Sequence, residues 1–213
     1  SLLRANELDA EYISGAYAVH FPGMLLELTE EMRGACERLV EIAREKGILV
    51  SFDPNIRREL SADAAARARL LWAVRHADVV APTLSEGQMI TGETSIGDVL
   101  RALHAMGPRV VALTRDKDGA VLSRGGEVAV AAGIDEEPVD PTGAGDTLAA
   151  ALCVGLQEDM SLARLAAFCN CAGTLVIKKK GAIGMALPER GQVDAMVASG
   201  VCRVECMPLE SLV

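Results

Sequence analysis

The chain has 213 residues, 50% of them hydrophobic and 24% charged, which suits a single α/β-sized domain over residues 1–213 with a sizeable core. Its 30 acidic residues outweigh 21 basic ones for a formal net charge of -9, and no basic run exceeds Lys178-Lys179-Lys180, which argues against a nucleic-acid partner. No apolar run approaches the ~18 residues that would span a bilayer, and the first residues lack the order of a signal peptide, so the expectation is a soluble, cytoplasmic protein with no membrane partner.

In chain order, Glu11 to Tyr17 reads as a strand with a turn at Gly15. Thr29-Glu30-Glu31-Met32 reads as a helix start, with Leu39, Val40, Ile42 and Ala43 as its apolar face, Arg44 and Lys46 in its last turn and Gly47 as its C-cap. The run Ile48 to Phe52 has the pattern of a buried strand, which completes a β-α-β unit. Such crossovers favour parallel pairing. The order then repeats: a helix over Ser61 to His76, a strand over Asp78 to Ala81, helices over Ser85 to Thr91 and Ile96 to Met106, and a strand over Arg109 to Thr114. Ala120 to Ser123 and Glu127 to Ala131 form a hairpin pattern through Gly125-Gly126. Helices over Asp146 to Leu156, Ser161 to Ile177 and Gln192 to Ala198 close the series. This alternation predicts an α/β fold, a doubly wound and mostly parallel sheet with helices on both faces.

The six cysteines, Cys36, Cys153, Cys169, Cys171, Cys202 and Cys206, stand mostly among apolar neighbours and read as reduced core thiols. Cys169 and Cys171 are two residues apart on a helix, so they point to different faces, and no nearby histidine completes a metal site.

The stretch Asp140-Pro141-Thr142-Gly143-Ala144-Gly145-Asp146-Thr147 leads straight into the helix-forming run Leu148 to Leu152. A glycine-rich turn that opens a helix directs unpaired N–H groups and the positive end of the helix dipole at one spot, which suits phosphate. Two readings of Asp146 stay open: an N-cap, or a general base beside an anion hole.

These eight residues resemble the D-T-T-G-A-G-D signature of the ribokinase-like (PfkB) carbohydrate kinases, with Pro141 in place of the first threonine. The resemblance implies transfer of the ATP γ-phosphoryl group to a hydroxyl of a small sugar or sugar acid. It makes Asp146 the base and the N–H groups of Gly143, Ala144 and Gly145 the anion hole. Asp53-Pro54-Asn55-Ile56-Arg57 resembles the D-P-N-x-R segment of fructokinase-like and 2-keto-3-deoxygluconate-kinase-like members, which implies Asn55 and Arg57 near sugar and phosphate. Pro82-Thr83-Leu84-Ser85-Glu86 resembles the N-x-x-E segment that helps place magnesium, with Glu86 acting through water and Thr83 where Asn is usual. Each of these also has a plain reading as a turn or a helix start.

Thr114-Arg115-Asp116-Lys117-Asp118-Gly119 is similar to the family's T-x-G-x-x-G nucleotide loop, with Asp116 where the first glycine belongs; Thr114 and Gly119 carry over, and the alternative is an ordinary charged turn. Asn170 and the segment Lys180-Gly181-Ala182 resemble the border of the adenine site. Asp140, with the backbone of Lys180 to Ala182, matches the place where some members bind potassium, though it could equally bond only its own turn. The implied cofactors are therefore ATP and Mg2+, with K+ in some members, and the implied assembly of the full-length form is a homodimer.

No Walker G-x-x-x-x-G-K-[ST], H-E-x-x-H or G-x-S-x-G string is present. His20, His76 and His104 are scattered and read as surface or core residues rather than a catalytic set. The resemblance begins in the middle of the family's pattern, without its N-terminal strands, β lid and sugar-gripping Gly-Gly/Asp segment. Two expectations follow for the chain's extent, a C-terminal part of a longer kinase or a short relative. Two follow for its activity, a sugar kinase or a non-catalytic descendant that binds nucleotide or a partner.

Overall fold

Asp9 decides the first element. In the computed structural model, which describes residues 3–56 and 63–212, its carboxylate accepts the backbone N–H groups of Glu11 (2.9 Å) and Tyr12 (3.1 Å). It thereby caps helix α1, Ala10–Ser14, where the apolar pattern had led to a strand over Glu11 to Tyr17. An aspartate at the N-cap satisfies first-turn donors, and only further on does the chain extend, as β1, Ala18–Pro22. There Val19 and Phe21 turn inward and His20 outward.

The described residues fall into two units, 1–111 and 112–213. In the first, α2 (Leu25–Leu28) leads to α3 (Glu30–Lys46), whose start is fixed by the Thr29 hydroxyl accepting the Met32 N–H at 3.2 Å. α3 buries Ala35, Cys36, Val40, Ile42 and Ala43 and ends at Gly47. Strand β2 (Leu49–Asp53) returns parallel to β1, in register from Ala18 opposite Leu49 to Pro22 opposite Asp53. After α4 (Ala64–His76) comes the short β3 (Val79–Val80), followed by α5 (Leu84–Thr91), α6 (Ile96–Met106) and β4 (Val110–Thr114). β3 lies parallel to both neighbours, Val79 and Val80 pairing with Ser51 and Phe52 on one side and with Val110 and Val111 on the other. The Phe21 and Phe52 rings meet with centroids 5.1 Å apart. Both side chains are almost wholly buried, as are Val79, Leu100 and Leu103. Repeated β-α-β order with parallel pairing is the expected α/β architecture.

In the second unit, β5 (Gly119–Arg124) and β6 (Glu127–Ala132) form the expected antiparallel hairpin. The unit continues with α7 (Ala144–Gln157), α8 (Leu162–Ile177) and α9 (Arg190–Ala198). A further strand, β7 (Val204–Pro208), pairs antiparallel with β6; its residues are largely exposed, so no apolar alternation announces it. α8 packs against α7 and α9 as well as against β5, β6 and β7, which is why eleven of its residues, Leu162 to Val176, are buried. Such a helix is apolar nearly all round.

Among the described residues no helix is long and apolar enough to cross a membrane. All six cysteines are free thiols, with Cys36, Cys169 and Cys171 in the core and Cys206 exposed.

Candidate active site

α7 starts at Gly143, which is its N-cap, so Asp146 occupies the third helical position instead. The N-cap reading of Asp146 is thereby overturned: the backbone reaches αL at Gly143 (φ 85°, ψ 2°), two residues after Pro141, and the helix begins there. A Cβ at Gly143 would stand 2.7 Å from the Ala182 Cβ, so both conformation and space require glycine. The Ala144 N–H, expected in the anion hole, turns back instead to the Pro141 carbonyl (3.3 Å), which takes it out of that set, and the Thr147 N–H reaches the Gly143 carbonyl (2.9 Å). Among the described residues the N–H groups of Gly143, Gly145 and Asp146 have no acceptor. Gly145 and Asp146 are exposed and Gly143 is half-buried, and the unpaired donors with the helix dipole favour an anion there.

Beside them the Thr147 hydroxyl is buried without a hydrogen-bond partner. Asp146 and Thr147 line a cleft of about 510 Å³, together with Ala150 and Val154 of α7 and Phe168 and Ala172 of α8. Arg190 lies on its wall, with its guanidinium 5.0 Å above the Phe168 ring and paired with Glu158 and Asp194. Sequence reasoning passed over Thr147, which is quoted in the signature but shows no sign there of being both buried and unsatisfied.

Asp140 ties this turn to the loop after α8. One carboxylate oxygen accepts the Thr142 N–H (3.0 Å) and the other the Gly181 N–H (2.9 Å). The Thr142 hydroxyl, the Thr142 and Gly181 N–H groups and the nearby charge of Lys180 hold its carboxyl down at about 2. The N–H groups of Val139 and Asp140 also reach the Ile177 carbonyl (2.8 and 3.1 Å). The structure thus brings Asp140, Gly143, Gly181 and Ala182 together.

Thr114 ends β4, half-buried. Asp116, which replaces a glycine, has φ 50°, a left-handed conformation that aspartate tolerates better than most residues. The Arg115 guanidinium does not pair with it but donates to the Asp118 carbonyl (2.7 Å). At Gly119 a Cβ would come 2.2 Å from the Ala131 carbonyl, which ties the turn to β6. Asn170 is buried, and its amide donates to the Ala132 carbonyl (2.9 Å) and to Cys202 Sγ (3.3 Å). Its NH2 group therefore fastens α8 to the end of β6, and Oδ1 is its remaining polar atom.

A second cluster belongs to the first unit. Glu86 Oε1 accepts the Ile56 N–H (2.6 Å), while Oε2 accepts the Thr83 N–H (2.8 Å) and hydroxyl (2.9 Å). With the Thr83 hydroxyl accepting the Glu86 N–H, this is a capping box at the start of α5, and it also anchors the loop after β2. Asn55 in that loop has φ 39° and donates its N–H to Asp53 Oδ1 (2.9 Å). Arg57 lies outside the described residues. Gly23, which sequence reasoning missed, supports the same loop: its N–H donates to the Asp53 carbonyl (2.7 Å), and a Cβ would overlap the Pro54 carbonyl at 2.1 Å. Its only sequence signal is the Pro22-Gly23 turn pair.

Among the described residues no three His, Cys, Asp or Glu side chains gather as a metal cage. Magnesium needs none, because it keeps several waters and takes one or two carboxylates with phosphate oxygens. Glu86, already accepting three hydrogen bonds, has room for a water-mediated contact of that kind.

The fold is α/β, and the glycine-rich first turn of α7 leaves three N–H groups without an acceptor among the described residues, next to a carboxylate, an arrangement that favours an anion. The chain belongs to the pfkB family of carbohydrate kinases, whose profile matches residues 3–190. It is 32% identical over 215 residues to Fructokinase-1 of Zea mays, an alignment that covers 92% of this chain and 63% of the relative. Fructokinase-1 of Oryza sativa subsp. japonica is 31% identical over 207 residues, 93% of this chain and 64% of that one. Among solved structures, an E. coli protein provisionally named Ribokinase II, in complex with ATP and Mg, shares the fold at a TM-score of 0.86 and 23% identity, over 92% of this chain and 63% of the other. The fructokinase of Vibrio cholerae O395, in its fructose, ADP and calcium ion bound form, is similar at a TM-score of 0.78 and 26% identity, over 92% and 64%. The chain thus spans less than two thirds of the length of these relatives.

Proposed function

We propose that the chain carries the phosphoryl-transfer machinery of a sugar kinase that moves the γ-phosphoryl group of ATP to a hydroxyl of a small sugar or sugar acid. The observation that carries this reading is the first turn of α7, where the N–H groups of Gly143, Gly145 and Asp146 are without acceptors next to the exposed Asp146 carboxylate. Asp146 takes the proton of the acceptor hydroxyl. The hydroxyl oxygen forms its bond to the γ-phosphorus while the bond to the β–γ bridging oxygen breaks and ADP departs. The amides of the turn hold the charge on the transferring group, and because they are fixed by the Asp140 and Ala182 contacts they need not reorganise as it develops. Thr147 offers a hydroxyl on the same wall of the cleft.

Glu86 is the residue that would hold magnesium, through water, and the metal would supply neutralisation of the phosphate charge. Thr114, Gly119 and the free Oδ1 of Asn170 serve the nucleotide, and Asn55 and Arg57 the sugar. Asp140 orders the turn through its bonds to Thr142 and Gly181, and it is the residue that would hold a potassium ion, which would supply positive charge there. The fructose and ADP in the Vibrio cholerae relative support a fructose-like acceptor.

The use of Thr83 and Glu86 as a helix cap, where the family pattern has an asparagine, favours a second reading, a non-catalytic nucleotide binder. One sample separates them: sugar-dependent ADP release with saturable ATP binding supports the kinase, and ATP binding without release on any of a panel of sugars and sugar acids supports the binder.

A further inference from the structure

A threonine on a helix can satisfy its hydroxyl at the carbonyl four residues back. Thr91 and Thr174 do so, at 2.8 Å from the Gly87 and Asn170 carbonyls. Thr147 departs from that pattern: its N–H donates to the Gly143 carbonyl at 2.9 Å, yet its hydroxyl has no hydrogen-bond partner. The residue is only 7% exposed, and a buried hydroxyl left unpaired weakens a fold.

The cleft that Thr147 lines offers few other groups to a bound molecule. Of its lining side chains, Asp146, Thr147 and Arg190 carry polar atoms. Arg190 is engaged, with Nε donating to Asp194 and both terminal nitrogens to Glu158. Asp146, as the base, takes the reacting hydroxyl. Thr147, one residue further along α7, is then the side chain left to recognise another.

We propose, resting on the phosphoryl-transfer reading, that Thr147 is a specificity-determining residue whose hydroxyl bonds a second hydroxyl of the acceptor. The cleft thereby selects a polyhydroxylated molecule, with that second group one or two carbons from the oxygen that Asp146 deprotonates. The two side chains leave successive positions of one helix, about 100° apart around its axis, which suits oxygens on nearby carbons of one ring. A turn about χ1 carries the Thr147 hydroxyl between staggered positions without moving α7, so it meets the acceptor although little of it faces water. Binding then supplies the hydrogen bond that the protein alone does not make, and an acceptor lacking the second hydroxyl forgoes it.

The test takes the sugar with the highest kcat/KM for ADP release by the wild type. Beside it are run the monodeoxy analogues that lack a hydroxyl one or two carbons from the phosphorylated oxygen. One analogue should lose about 10²-fold in kcat/KM with the wild type. In Thr147→Val the parent sugar should fall to the level of that analogue while the analogue is unchanged, so that their ratio approaches one. Thr147→Ser should restore the wild-type ratio, and the KM for ATP should stay constant throughout. A merely structural role would slow parent and analogue alike and leave the ratio standing, which overturns the proposal. So does a lower urea midpoint for Thr147→Val without ligands, because it would reveal a bond that the hydroxyl makes inside the protein. ADP release with an unchanged ratio counts against Thr147 alone, whereas no ADP release by the wild type on any sugar removes the kinase reading and this assignment with it.

Discussion

Gly143 and Gly145 stand two residues apart on one turn and are glycine for different reasons. At Gly143 the φ of 85° and the Ala182 Cβ at 2.7 Å leave no place for a side chain. Gly143→Ala should therefore cost the fold on the order of 1–3 kcal/mol, seen as a lower urea midpoint. Gly145 has nothing within 4 Å of its would-be Cβ, so Gly145→Val should change stability by no more than about 1 kcal/mol. Its effect should appear only when a phosphate approaches the turn, as weaker ATP binding and slower turnover. Wild-type ATP binding by Gly145→Val would show that the open space there is not where phosphate goes. For Asp146 the expectation is different again: Asp146→Asn leaves the amides of the turn intact, so ATP should still bind while sugar-dependent ADP release falls by roughly 10²–10⁴-fold. Turnover close to wild type would remove Asp146 from the chemistry.

At the scale of elements, two carboxylates act as joints. Glu86 serves both the start of α5 and the loop after β2, so Glu86→Ala strips acceptors from the Ile56 and Thr83 N–H groups. A loss of about 1–3 kcal/mol is expected in urea unfolding; an unchanged midpoint would mean the joint carries no weight. Asp140 links the segment before α7 to the loop after α8. Its carboxyl is depressed from 3.8 to about 2 in the folded protein, so the unfolded chain takes up the proton first as pH falls. Its contribution is present above the unfolded value and lost between 3.8 and about 2. Asp140→Asn should accordingly flatten the decline in stability over that window, and parallel declines for the two proteins would contradict the assignment. These joints also mark what a sequence can show. Thr29 and Gly47 bound α3 by local capping chemistry, and the glycines and aspartate of the Asp140 turn are contiguous, so both were legible. The helical state of Ala10–Ser14 rests on one aspartate cap in a five-residue element too short for a period to show. Gly23 is required by a carbonyl 31 residues further on, and β7 by its partner β6, so neither need appears in its own neighbours.

At the scale of the whole molecule, the length and composition suit one domain, while the contacts gather into two units, 1–111 and 112–213. The division falls inside β4, with Val110 and Val111 on one side and Ala112 to Thr114 on the other. A strand cannot melt at one end and keep a stable ladder at the other without leaving buried backbone groups unsatisfied, and Val111, Ala112 and Leu113 are all fully buried. We therefore expect one cooperative unfolding transition. The chain carries its own local probe, because its single tryptophan, Trp72, lies on α4 in the first unit, stacked on His76 at 4.7 Å. Far-UV ellipticity reports the helices of both units. In a urea titration the Trp72 fluorescence and the ellipticity should share one midpoint and one slope. Two separated midpoints, with Trp72 following only the first or the second, would establish two domains and would place the first-unit cluster around Glu86 and the second-unit turn at Asp146 on independently folding pieces.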